Sequence, residues 1–125
     1  MSHADRILMG PGPGNPYPQV IKAFGRPVLG HLDPDFIALL DETNDRLREV
    51  FRTTNPLTFP VSATGSAGME ATIVNVLGPG DTVVIGVNGV FGERMCDVAS
   101  RCGATVVRVD AEWGQALDPQ DLLDA

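Results

Sequence analysis

Thr64, Gly65 and Ser66 are the residues whose types and spacing point most directly to chemistry. They lie in the stretch SATGSAGME, residues 62–70, between a run of alternating apolar residues and a helical pattern. Gly65 and Gly68 bracket Ser66 and Ala67, and from Met69 the apolar positions Ile73, Val76 and Leu77 recur at helical spacing. A strand, a small-residue turn and a helix in that order aim the free N–H groups of a first helical turn at one spot. The unpaired donors and the positive end of the helix dipole make such a spot attractive to an anion. Small side chains let a phosphate approach the backbone, and the hydroxyls of Thr64 and Ser66 add donors. Ordinary N-capping by Ser or Thr, with Glu70 favouring the dipole, explains the same residues without any ligand.

Other chemical candidates are weaker. The segment ILMGPGPGNPYPQV, residues 7–20, has Gly-x-Gly spacing, but its prolines delete N–H groups that a pyrophosphate site would use. It reads as an extended arm. His31 precedes an Asp-Pro helix start and fits a capping or surface role, and His3 lies in the polar terminus MSHADR. Cys96 and Cys102 lack a neighbouring basic cluster and a metal-ligand spacing, so both read as inert packing residues. Six positions along one helix turn their thiols about 600° apart, which disfavours a bridge. Trp113 follows the last strand in a polar loop and is expected to be partly buried.

The elements that must position the turn are readable from hydrophobic period. Asp33 as N-cap and Pro34 at the first helical position open a helix with Phe36, Leu40, Thr43, Leu47 and Val50 on one face, stopped by Asn55-Pro56. Leu57, Phe59 and Val61 alternate as in a short strand over residues 57–62, made irregular by Pro60. A helix follows over about residues 66–77 and a tight exit at residues 78–81. TVVIGV, residues 82–87, is a continuous apolar run suited to a parallel strand covered on both faces. Phe91, Met95, Val98 and Cys102 mark the next helix, closed by Gly103, and Phe91 on this pattern is core. ATVVRV, residues 104–109, is a third strand, and Asp118-Pro119 starts a last helix. The alternation predicts βαβ units and a mostly parallel sheet, cut short after its third strand.

Composition narrows the function classes. The chain has 125 residues, 43% of them hydrophobic, enough for a real core in one domain. With 16 acidic and 9 basic residues and no basic cluster beyond Arg46, Arg48 and Arg52, nucleic acid is not an expected partner. No apolar run approaches the roughly 20 residues of a membrane span. The polar N-terminus and sparse cysteines favour a reducing cytoplasm.

The succession LMGPGP (8–13), GHLDPDF (30–36), TNPLTFPVSATGSAGMEA (54–71), NVLGPGDTVVIGVNGVFGERM (75–95) and GATVVRV (103–109) resembles the class V aminotransferases, in order and at family spacing. The likeness is greatest to their alanine–glyoxylate and serine–glyoxylate branch. It implies a pyridoxal-phosphate enzyme of the type I, aspartate-aminotransferase-like fold, a three-layer α/β/α arrangement. On it, residues 1–32 are an N-terminal arm near the substrate entrance and dimer interface, and residues 33–125 begin the large cofactor-binding domain. The turn Thr64-Gly65-Ser66 would bind the phosphate of pyridoxal 5'-phosphate, and Phe91 would stack on its pyridine ring. Some relatives carry tryptophan in place of Phe91 and histidine in place of Ser66, and Gly14 stands where serine is frequent.

The same resemblance puts the Schiff-base lysine, the acidic partner of the pyridine nitrogen and the carboxylate-binding arginine downstream of the matched segment. The chain's single lysine is Lys22, which neither spacing nor likeness marks as catalytic. The expectation is the N-terminal part of a homodimeric enzyme that moves an amino group from alanine or serine to glyoxylate or a related 2-oxo acid. By that mechanism the 125 residues alone would be inactive. Another amino donor, an aminoethylphosphonate or lyase-type relative, a non-enzymatic α/β module binding a nucleotide or phosphometabolite, and half of a split protein are the rival readings.

Overall fold

The computed structural model describes residues 6–125, which places His3 outside the described residues. The chain forms two compact units that divide between Phe59 and Pro60. No helix among the described residues is long and apolar enough to cross a membrane.

In the first unit the arm is irregular up to Tyr17 and then, against the extended reading of residues 7–20, enters helix α1, Pro18–Phe24. Pro18 is tolerated because it sits in the first turn, where its missing N–H would have had no partner. Helix α2 spans Pro34–Phe51 and starts as the sequence dictates, with the Asp33 side chain accepting the Asp35 N–H at 2.9 Å. It ends before Asn55-Pro56, where Arg52 adopts a left-handed conformation (φ 51°) and its N–H closes onto the carbonyls of Arg48 and Glu49.

The second unit holds the sheet. Residues 57–62 form no strand, so the sheet has two strands and not three. The alternation of Leu57, Phe59 and Val61 is real, but a strand exists only when another pairs with it, and Pro60 withholds a donor. Helix α3, Gly65–Val74, is followed by a turn in which Asp81 Oδ2 accepts the Gly78 N–H at 2.8 Å. Strand β1, Thr82–Val87, helix α4, Val90–Arg101, and strand β2, Thr105–Asp110, come next, then helix α5, Pro119–Asp124, capped by Asp118. The strands run parallel, with Thr82 opposite Thr105 and Val87 opposite Asp110, and α4 makes the crossover. Gly103 has φ 81° at the end of α4, and a side chain there would also press on Pro79.

Ile85, Val87, Cys96, Val98 and Ala99 form the buried core. The α4 face that meets the sheet is built from Gly92, Cys96 and Ala99; of the residues the pattern marked, Val98 is buried and Met95 packs on the core's edge, while Cys102 is half-buried. A Cβ on Gly92 would lie 2.8 Å from Val87 Cα, so small residues let the helix approach β1 closely. Phe91 falls outside this face and is 61% exposed, which overturns its expected place in the core. Ile73, Leu77, Val83, Met95 and Val106 pack around the core's edge. Sheet coverage is uneven: Ile85 and Val87 are buried, while Val84 is 38% exposed. On that second face Leu117 and Leu122 close over Gly86.

Candidate functional site

The heads of the helices differ in how they satisfy their own N–H groups. Helices α2 and α5 are each closed by an aspartate that accepts the second N–H of its own helix, and both carry an acid in the first turn. Helix α3 has neither. Thr64, its N-cap residue, makes no side-chain capping bond, and no acid lies in its first turn, Glu70 being a full turn further on. The Thr64 carbonyl accepts the N–H groups of Ala67 and Gly68 at 3.0 and 3.1 Å. That leaves the N–H groups of Gly65 and Ser66 without an acceptor among the described residues. Capping thus does not account for Thr64.

The donors are also accessible. A Cβ built on Gly65 meets nothing within 4 Å, so the backbone here faces open space. Two N–H groups, the hydroxyls of Thr64 and Ser66 and an uncompensated helix dipole make a donor set with no carboxylate among them. Their chemistry fits a phosphate monoester. Glu70 instead joins Arg94, Asp97, Val98 and Arg101 around a surface groove of about 270 Å³ between α3 and α4.

Phe91 sits in the first turn of α4, which packs against α3. Its ring is exposed and free to offer a face to a planar partner. Thr64, Gly65 and Ser66 thus lie at the head of α3 and Phe91 in the first turn of α4, with no hydrogen bond between them among the described residues. The turn before Phe91 is held by Asn88, whose side-chain amide donates to the Gln115 carbonyl at 2.7 Å.

Sequence reasoning missed the charges next to this turn. Glu93, in the first turn of α4, accepts both Arg108 guanidinium nitrogens, Nη1 at 2.9 Å and Nη2 at 2.7 Å, and Nη2 also donates to Asp110 Oδ1 at 2.8 Å. Hydrogen bonding to Arg108 holds the Glu93 and Asp110 carboxyls below the usual carboxylate range, and the same bonds raise Arg108 further. A charged residue inside the apolar run of β2 was the signal available. It needed the parallel register and the α4 crossover to find its partner.

The remaining candidates separate from the site. Cys96 and Cys102 are free thiols, and burial pushes the Cys96 thiol up, as suits an inert packing residue. His31 is on the surface, and Trp113 is 64% exposed where partial burial was expected. Lys22 is exposed on α1, in the other unit.

Comparison with known proteins agrees with the resemblance. No protein-family model matches the chain. It is 40% identical over 117 residues to an alanine–glyoxylate aminotransferase of Drosophila melanogaster, covering 94% of this chain and 30% of that protein. It is 39% identical over 118 residues to the (S)-ureidoglycine–glyoxylate transaminase of Bacillus subtilis, covering 94% of this chain and 28% of that one. Among solved structures, the alanine–glyoxylate aminotransferase of Nostoc sp. superposes with a TM-score of 0.84 at 48% identity, over 98% of this chain and 32% of that one. The chain is therefore homologous to the alanine–glyoxylate aminotransferases, which are class V aminotransferases, and has their fold over the part it spans. It covers about a third of the length of the relatives it matches.

Proposed function

We propose, from this homology, that the chain is the N-terminal part of a pyridoxal-phosphate-dependent aminotransferase, in which residues 33–125 begin the cofactor-binding domain and residues 1–32 form an arm at a homodimer interface. The observation that carries the reading is the open head of α3. A match to aminotransferases over nearly the whole chain coincides there with two backbone donors that nothing among the described residues uses.

Gly65 and Ser66 would donate their N–H groups, and Thr64 and Ser66 their hydroxyls, to the cofactor's phosphate. Phe91 would offer its ring face to the pyridine and exclude water from that side. Bound pyridoxal phosphate supplies the electron sink that makes the Cα proton of an amino acid removable. The second unit contains no lysine, so its residues hold and orient. On the resemblance, the amine that would tie the cofactor and carry the proton lies in the part of the enzyme beyond this match.

Glyoxylate is named for each of the three relatives described, which supports it as the acceptor, and alanine is named for two of them, which supports it as donor; serine as donor rests on the resemblance alone. A second reading, ureidoglycine as donor, draws on the near-equal identity to the Bacillus subtilis enzyme. The same homology favours an enzyme over a free-standing nucleotide- or phosphometabolite-binding module. We place the enzyme in the cytoplasm.

The test is Phe91→Ala in the full-length protein, with pyridoxal phosphate titrated by absorbance. Loss of a stacking face should weaken binding about three- to tenfold and shift the absorbance of the bound cofactor. Unchanged affinity and an unchanged spectrum would remove Phe91 from the site.

A further inference from the structure

An aromatic side chain that is 61% exposed has little packing of its own to fix it. Its direction is then set by whatever fixes the backbone on either side. Before Phe91, Asn88 is tied to the Gln115 carbonyl. After it, Gly92 lies against the backbone of Gly86 and Val87, close enough to prevent α4 from moving inward. Close contact alone does not prevent the helix from turning about its axis or lifting outward. Glu93 supplies that restraint, since its carboxylate and the Arg108 guanidinium meet through two parallel bonds, and Asp110 steadies the guanidinium from the side. A fork held at three points fixes orientation as well as distance, which a lysine at 108 could not do.

We infer that Glu93 and Arg108 are positioning residues for Phe91, locking the first turn of α4 so that the exposed ring stands where a planar cofactor meets it. The inference rests on the reading of Phe91 as a cofactor-stacking residue. As a source of stability the pair is weak, because the two side chains remain 40% and 48% exposed and exposed ion pairs contribute little. Its geometry matters more than its energy, in the way that a supporting shell sets the precision of a site.

The experiment is a double-mutant cycle in the full-length protein: wild type, Glu93→Gln, Phe91→Ala and both together. Cofactor affinity, the circular dichroism of the bound cofactor and the melting temperature are followed for each. Glu93→Gln should weaken cofactor binding about threefold or more, alter the cofactor's dichroism and leave the melting temperature nearly unchanged. In the Phe91→Ala background it should have no further effect. Arg108→Lys, which keeps the charge and loses the fork, should behave like Glu93→Gln and serves as the second variant if Glu93→Gln folds poorly. If Phe91→Ala weakens binding while Glu93→Gln and Arg108→Lys do not, or if they weaken it equally in both backgrounds, the positioning role is overturned and the stacking role stands. If Phe91→Ala itself changes nothing, the stacking role falls, and the positioning role with it.

Discussion

The two units differ in what their helices are for. In the first, α1 and α2 contain no buried residue, and Val28, Phe24 and Val50 are 98%, 84% and 76% exposed. In the second, α4 buries Gly92, Cys96 and Ala99 toward β1, and Val98 is buried as well. Yet α2 has the stronger local signals. It has an aspartate cap, proline in its first turn, a left-handed stop at Arg52 and ion pairs from Arg46 to Glu42 and from Arg48 to Asp45. Such signals make a helix but give it nothing to rest on, since helical stability in proteins comes mostly from packing. The first unit therefore has the character of a surface awaiting cover, and the second that of a small core.

Substitutions can break or sharpen this contrast. The largest effect is expected for Gly92→Val, because even a Cβ there would lie 2.8 Å from Val87 Cα and 2.9 Å from the Gly86 carbonyl oxygen, both backbone atoms that cannot swing away. Overpacking of this kind costs about 1–3 kcal/mol, read as a lower urea midpoint of the chain. An unchanged midpoint would mean that α4 retreats freely and that the second unit has no firm core.

A smaller effect is expected from acid. The Glu93 and Asp110 carboxyls are lowered by hydrogen bonds to Arg108, so the stability they contribute is fully present above the ordinary carboxylate range and is lost as pH falls through their lowered values. Arg108→Met should therefore lower the melting temperature slightly at neutral pH. The difference should fade below about pH 4. A difference that persisted in strong acid would assign the loss to packing of the arginine stem.

The smallest effect belongs to the first unit. Val28→Ser should change the stability of this chain by no more than about 0.5 kcal/mol, since the side chain is almost fully exposed. In the full-length protein the same change should cost more, if a dimer interface covers the arm as proposed. Equal and negligible costs in both would argue against that cover.

These contrasts also mark what the sequence could reveal. The opening of α2 at Asp33-Pro34, the strand TVVIGV and the Asp118-Pro119 start were legible because each is a local preference acting within a few residues. Residues 57–62 misled, because alternation describes a strand's faces and says nothing about whether a neighbour is present to pair with it. The face of α4 was legible only in part, since Val98 is buried and Met95 packs on the core while Phe91 is exposed. Gly92, Cys96 and Ala99 carry little hydrophobic signal, and it is their smallness that lets the helix reach the sheet. The Thr64-Gly65-Ser66 turn was legible as a donor cluster, but only the structure shows that its N-cap makes no capping bond. The ion triad of Glu93, Arg108 and Asp110 spans α4 and β2 and depends on their register, which periodicity does not encode.

The claim at the centre is that the head of α3 holds the cofactor by its phosphate. The direct test compares pyridoxal phosphate with pyridoxal in the full-length protein, and repeats the comparison after Thr64→Val with Ser66→Ala. The account predicts that the phosphate ester binds more than about tenfold tighter and that the double substitution narrows the gap. Equal affinity for the two compounds, or a gap untouched by the substitutions, would contradict it.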